Sequence, residues 1–427
     1  MMNLDNRFED SHGTRQSIDV AENKQAKTKG SSVLDKEERR NWTEMQHCPD
    51  RFSLLDNINN FSIADICQKI AVSCGVQSSQ IEDAFPCTPL QEGLLALSAH
   101  LPGYYVAQYK LQLRPDVDDI ALQATWSHVY ATTPILRTRI VDLAGEGLVQ
   151  TIIDEPFEWT TADDLDGYLR YDSQRTTGTG TPLARFALIG DHKRKQRFFV
   201  WTMHHALYDF SSVPLLVKKV NDVYLGKQPA ASAPFQNFVK HIREMEVSSA
   251  ERIWKQHLDG NEAPIYPPLP NIKYRPKADQ TVSCVIKELP WSREAGTQTM
   301  PMVWAAWAVL MGQHAATDEA VFGVTTFGRQ ANVAGIESMT GPTMATIPLK
   351  VELAKKITVT EFVCRLQRSA AELATVEHYG LQRIRKISID AERACEFQTL
   401  VDVNLQEEYL NPKDGPFDPR SLENVCL

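Results

Sequence analysis

Hydrophobic positions along this chain switch between a period of two and a period near 3.6, and the switches mark its elements. Phe198 to Met203 is a run of aromatic and β-branched residues that predicts a buried strand. It leads into His204 and His205, with Asp209 four residues after the second histidine. Beyond that, Ser212 predicts a helix cap with Pro214 in the first turn. Val213, Leu216, Val217, Val220, Val223 and Tyr224 form the apolar stripe of that helix, and Gly226 its stop. A titratable cluster at such a junction is rigidly held yet open, a common place for chemistry.

The same reading places the other elements. Ser62 caps a helix with Ile63, Ile66, Cys67 and Ile70 on one face, ending at Gly75. Thr88, Pro89 and Gln91 form a capping box before Leu90, Leu94 and Leu97. Tyr105 to Leu113 alternates as a strand, and Leu122, Trp126 and Val129 share a helix face. Pro134 to Ile140 reads as a strand with Arg137 and Arg139 on one side, Leu148 to Ile153 as another, and Pro182 to Ile189 as the approach to the histidine strand. A helix around Glu251 to Leu258 precedes Pro264, Pro267, Pro268 and Pro270, a lobe boundary that divides residues 52–262 from 263–427. In the second half, Thr281 to Leu289 is strand-like, Met302 to Met311 a helix apolar on most sides and hence buried, and Ala320 to Thr326 a buried strand. Thr358 and Glu361 open a last helix carrying Phe362, Leu366, Leu373 and Val376. The pattern is α+β, mixed lobes without regular βα alternation. Residues 1–51 are polar and aperiodic, a disordered leader or linker.

Composition narrows the function. The 427 residues are 43% hydrophobic and 23% charged, ordinary for a globular chain with room for two or three domains. A net charge of −9 gives no basic stripe for nucleic acid. Eight scattered cysteines without a CxxC pair argue against a zinc ribbon or a disulfide scaffold and suit a reducing compartment. No apolar run reaches membrane-spanning length, the N-terminus is no signal peptide, and a cytoplasmic location is expected. No glycine-rich loop follows a strand, so no nucleotide site is expected.

Histidine both takes and gives protons near neutral pH, so His205 in a cleft suits general-base work on a nucleophile attacking an acyl carbonyl. It equally suits orienting that nucleophile or stabilising a tetrahedral intermediate. Asp209 is too near in sequence to be assumed a triad aspartate, and holding the turn by pairing with an arginine is the other reading. Two adjacent histidines are more often structural than catalytic, and a metal site needs further ligands.

Several stretches, in order, resemble the condensation domains of nonribosomal peptide synthetases, in their fungal form. His204-His205-Ala206-Leu207-Tyr208-Asp209 is similar to their HHxxxDG signature. Phe85 to Leu95 resembles the opening motif, and Leu136-Arg137-Thr138-Arg139 the core of the second. Phe327-Gly328-Arg329-Gln330 with Gly335 to Thr343 resembles a glycine–arginine and GIExMxGP motif, and His378 to Gln382 and Phe397 to Leu400 two later ones. The resemblance implies two chloramphenicol-acetyltransferase-like lobes in a V-shaped pseudo-dimer around a central tunnel. It implies no directly bound cofactor. Donor and acceptor would arrive as thioesters on the phosphopantetheine arms of carrier domains, loaded by adenylation domains, and the acceptor amine would attack the donor carbonyl. A tunnel would supply proximity and exclude water, which thioester aminolysis needs.

By the same resemblance, the catalytic motif is His205 with His204 and Asp209: His205 as base or positioner, His204 supporting the turn, Asp209 paired to Arg137. Arg329, Gly341, Pro342 and Thr343 would shape the tunnel opposite. Phe210 departs from the family, which usually has glycine there; it would either strain the backbone or narrow the tunnel. The chain also stops at Leu427, sooner than expected, and carries no adenylation or carrier-serine motif, which suggests a piece of a synthetase or a free-standing relic. The competing readings are a free coenzyme A-dependent acyltransferase, a degenerate lobe pair that only docks carriers, an epimerization domain, for which residues 325–329 lack the glutamate, and a terminal cyclising domain, which His204 disfavours.

Overall fold

The computed structural model describes residues 50–55, 62–100, 103–143, 147–271, 274, 276, 280–285, 296–353, 356–403, 415–418 and 423–426. The leader expected over residues 1–51 lies almost wholly outside them. The strands are, in chain order, β1 Ile81–Pro86, β2 Val106–Gln112, β3 Thr138–Leu143, β4 Gly147–Ile153, β5 Thr160–Ala162, β6 Ala184–Asp191, β7 Gln196–His204, β8 Glu319–Thr326, β9 Ala345–Glu352, β10 Leu400–Val401 and β11 Glu423–Cys426. They form a five-stranded sheet of order β11-β2-β7-β6-β5 and two three-stranded sheets, β1-β4-β3 and β10-β8-β9.

The histidine strand β7 lies at the centre of the large sheet, antiparallel to both β2 and β6. Its continuous apolar run has a physical cause: both faces are covered. Phe199, Trp201 and Met203 face the main core, where Trp126 stacks on Phe199 at 4.5 Å between ring centroids. Phe198 and Val200 face the other way, against Leu165 and Tyr168 of the helix Leu165–Ser173. The Leu122, Trp126 and Val129 face of the helix Asp119–Ala131 is wholly buried, as its spacing predicts. A smaller core joins the helix Ile63–Cys74 to β1, β3 and β4, and Ser62 caps that helix in a full capping box.

The second lobe packs Trp304, Ala308 and Met311 of the helix Gly296–Ala315 against Phe322 and Val324 of β8. Ala250, Trp254 and Leu258 of the helix Val247–Leu258 belong to this core too, while Phe238 and Ile242 fill the first. The cores thus interleave in sequence, since Ile336 and Met339 join the first.

Other expectations also change. Pro134–Arg137 is a short 3₁₀ turn, with the strand starting only at Thr138, because proline fixes the first residue of a turn. The helix read over Met302–Met311 runs longer, and Val309 and Leu310 are exposed on it. Residues 281–285 are not strand, and the rest of that expected strand lies outside the described residues. Strand β11 does not stay with the second lobe: it adds to the edge of the first-lobe sheet beside β2, with Phe417 bridging to Leu113.

Candidate active site

The motif leaves the sheet at the end of β7, where the chain turns through a 3₁₀ segment, His205–Leu207. Two elements brace this turn. The Thr88–Gln91 capping box is closed, Thr88 N–H donating to Gln91 Oε1 at 2.9 Å and Gln91 N–H to Thr88 Oγ1 at 3.3 Å. The same Gln91 side chain donates from Nε2 to the Ala206 carbonyl at 2.9 Å. The His205 N–H donates to the Tyr105 carbonyl at 2.7 Å, and Tyr105 itself holds φ +63°, an uncommon conformation for a bulky residue.

The two histidines have opposite environments. His204 is fully buried; its Nδ1 accepts from Ala206 N–H at 3.0 Å, so Nε2 carries the proton it shares with Ser98 Oγ at 2.8 Å. Burial, aided by the charge of His205, pushes its pKa down to about 4. His204 is thus neutral, with both nitrogens engaged inside the protein at the turn. His205 is half-buried, and its Nδ1 lies 2.9 Å from the Tyr208 carbonyl. A carbonyl only accepts, so Nδ1 carries the proton and Nε2 keeps its lone pair. Tyr208 stacks on the His205 ring at 4.7 Å and 9°, fixing its plane.

Asp209 does not pair with Arg137. Its Oδ1 accepts from Ser212 N–H at 2.8 Å and Ser212 Oγ at 2.7 Å, and its Oδ2 from Thr343 N–H at 3.0 Å and Thr343 Oγ1 at 2.9 Å. The arginine that reaches it is Arg329, at 3.2 Å from the second lobe. Arg329 also donates to the Ile336 and Met339 carbonyls, at 2.5 and 3.0 Å. Arg137 sits in the first lobe, paired to Glu82 at 2.6 Å and donating to the Tyr130, Ala131 and Ile153 carbonyls. It closes the end of the helix Asp119–Ala131, whose last carbonyls lack partners within the helix. The expected pairing fails because Arg137 ends a 3₁₀ turn bound to β4, and there its guanidinium is consumed.

Of Arg329, Gly341, Pro342 and Thr343, expected along a tunnel, Arg329 and Thr343 bond Asp209 and Gly341 bonds Ser212. Gly328 makes this possible: at φ +69° a Cβ there would stand 1.6 Å from the Thr343 carbonyl oxygen, so only glycine lets the two segments touch. Gly341 N–H lies 3.1 Å from Ser212 Oγ, and Pro342 is buried between Gly341 and Thr343. Ser212 is therefore the first helical residue of Ser212–Tyr224, spending its hydroxyl on the lobe junction rather than on a helix cap.

Phe210 is absent from the residues with positive φ, so the strain expected of a non-glycine there does not arise. Its ring stands edge-on to His205 at 6.5 Å and lines a narrow hollow between the lobes, with Ser211, Thr325, Phe327, Met344 and Asp402. Deeper in the second lobe, burial pushes Glu377 up to about 7 and His378 down to about 4, with the two side chains 3.5 Å apart. Sequence reasoning missed Gln91 and Ser98 as braces and Asp402 on the wall of that hollow. The only signal for Asp402 is one charge interrupting the apolar run Leu400, Val401, Val403. Among the described residues no cluster could hold a metal ion, and no helix is long and apolar enough to cross a membrane.

Comparison with known proteins bears on this arrangement. A family model described as the Condensation domain matches residues 81–415. The chain is 41% identical over 333 residues to the nonribosomal peptide synthetase ungA of Aspergillus violaceofuscus, covering 78% of this chain and 3% of that protein. It is 38% identical over 366 residues to the synthetase TES of Alternaria alternata (85% and 7%), and 39% over 336 residues to peramine synthetase ppzA of Metarhizium rileyi (78% and 12%). The chain thus spans a small fraction of these relatives. Among solved structures, a protein designated CT superposes with a TM-score of 0.63 at 19% identity, over 88% of this chain and 85% of that one. A mutant starter condensation domain of rhizomide synthetase, solved in complex with C8-CoA and Leu-SNAC, gives 0.56 at 16%, over 76% and 78%.

Proposed function

The chain belongs to the condensation-domain family, with its chloramphenicol-acetyltransferase-like fold, and from that premise we propose that it forms an amide bond between two thioester-bound substrates. The observation that carries this reading is the His205 ring, held by the Tyr208 carbonyl so that Nε2 is an acceptor beside the lobe junction. The amine of the acceptor attacks the donor carbonyl, the C–N bond forms and the carbonyl pair moves onto oxygen. Collapse of that intermediate breaks the C–S bond. His205 Nε2 takes a proton from the nitrogen and returns it to the departing sulfur, so the histidine ends as it began. The acyl groups would be carried on phosphopantetheine arms of carrier domains and loaded by adenylation domains, which are the proposed partners.

His205→Ala should remove most amide formation between loaded carrier proteins, by roughly 10²–10⁴-fold, the usual share of a general acid–base group. Mass spectrometry of the acceptor carrier reads the product. Undiminished product with His205→Ala would refute the assignment, and coenzyme A release without any carrier would favour a free acyltransferase instead.

A further inference from the structure

The helix Pro89–His100 carries Gln91 and Ser98 two turns apart on one face, and both reach the turn at the end of β7. Gln91 holds the Ala206 carbonyl, while Ser98, itself buried, meets the His204 ring. A hydroxyl has one proton to give. Ser98 Oγ lies 2.8 Å from the Leu94 carbonyl and 3.2 Å from that of Tyr104, and carbonyls only accept, so its proton points to them. Its oxygen therefore accepts from His204 Nε2 at 2.8 Å. Across the ring, Nδ1 accepts from Ala206 N–H at 3.0 Å. Both contacts demand the same tautomer, and the bonds run one way, from the Ala206 N–H through His204 and Ser98 to the Leu94 carbonyl.

We propose that Ser98 is a positioning residue for the amide-forming reaction: it locks the His204 ring in its Nε2–H tautomer, and the ring holds the Ala206 N–H and with it the aim of His205. The inference rests on the amide-forming reading and adds to it a residue that acts only through its neighbours. His205 is fixed at its own atoms by the Tyr105 and Tyr208 carbonyls. Its chain neighbours on both sides, His204 and Ala206, are gripped by Ser98 and Gln91. Without the Ser98 hydroxyl, a donor on a fully buried ring loses its partner and keeps the cost of its desolvation. The ring is then released to its other tautomer or to a rotated position, and either gives up the Ala206 N–H. A turn so loosened swings His205 Nε2, and misplacing a reacting group by about 1 Å costs on the order of 100-fold in rate.

The test compares native, Ser98→Ala and Ser98→Thr full chains with loaded carrier proteins. Mass spectrometry reads the amide product, and ring-nitrogen NMR of isotopically labelled histidine reads the His204 tautomer. Ser98→Ala should lower kcat roughly tenfold or more, with KM for the acceptor carrier unchanged, and should move the His204 signals away from a single Nε2–H form. Ser98→Thr keeps a hydroxyl, and Thr125 already bonds the Ala121 carbonyl one turn back at 2.8 Å in a helix of this chain. It should regain most of the rate and the native ring signals. A Ser98→Ala chain with native kcat overturns the role of Ser98. So does one that is slow while its His204 signals stay native, since packing alone would then account for the loss. A native chain that forms no amide overturns the amide-forming reading and this inference with it.

Discussion

The carboxylate of Asp209 and the guanidinium of Arg329 meet at 3.2 Å across the junction of the two lobes, 120 residues apart in the chain. Both are nearly buried, so removing either strands the other. Arg329→Ala should cost about 3 kcal/mol or more by urea denaturation. Arg329→Lys should recover only part of it, since an ammonium cannot match the guanidinium's reach to Asp209, Ile336 and Met339 together. Native-like stability of Arg329→Ala would mean that the lobes are held elsewhere.

Arg137 lets the corrected pairing be tested directly. Arg137→Ala should lower stability by about 3 kcal/mol, because Glu82 and three backbone carbonyls lose their donor. In a double-mutant cycle, Arg137→Ala and Asp209→Ala should add, while Arg329→Ala and Asp209→Ala should couple strongly. Strong coupling of Asp209 to Arg137 would restore the pairing that the motif suggested.

Phe210 offers a variant in which stability and activity should move in opposite directions. Phe210→Gly removes a half-buried ring and should cost about 1–2 kcal/mol. By opening the hollow beside His205 it should raise amide formation severalfold, read as acceptor-carrier product by mass spectrometry. Equal, vigorous activity in both proteins would show that the ring does not restrict the substrate, and would remove the support for a docking-only relic.

Stability should fall on acidification between pH 6.5 and about 4. His204, His257 and His378 have pKa values near 4 in the folded chain against an ordinary 6.5, so in that window the unfolded chain binds protons that the folded chain refuses. For the fully buried His204 this is on the order of 3 kcal/mol. Glu377 works against the trend: with its pKa raised to about 7, the stability it contributes is complete below pH 4.5 and is lost as pH rises through 7. Thermal melting from pH 4 to 8 should therefore show Glu377→Gln gaining on the native chain as pH rises. A constant offset between the two would contradict a neutral buried carboxyl.

The sequence was most legible where local periodicity and packing agree. The strand ending at His204, the Leu122–Trp126–Val129 helix and the Ser62 and Thr88 caps are all decided by residues close in the chain. The order of motifs likewise pointed to the family and to His205. What stayed hidden depends on long-range contact. Arg137 and Arg329 are both arginines near motifs, and only the lobe junction decides which of them reaches Asp209. His204 and His205 are adjacent and chemically identical, yet the direction of one side chain into the core sets one at about pKa 4 and leaves the other half-buried beside Phe210.

Strand β11 has a consequence for how the molecule comes to be made. It pairs with β2, so Glu423 lies opposite Lys110, with the whole second lobe between them in sequence. During synthesis the outer edge of β2 is left with unpaired backbone groups until more than three hundred further residues have been added. An unpaired edge is a template for other chains, and so late a partner makes this a slow, non-local step. The first lobe can thus assemble its aromatic core early but cannot finish its sheet alone, and a ribosome that stalls within the second lobe would release a chain prone to self-association.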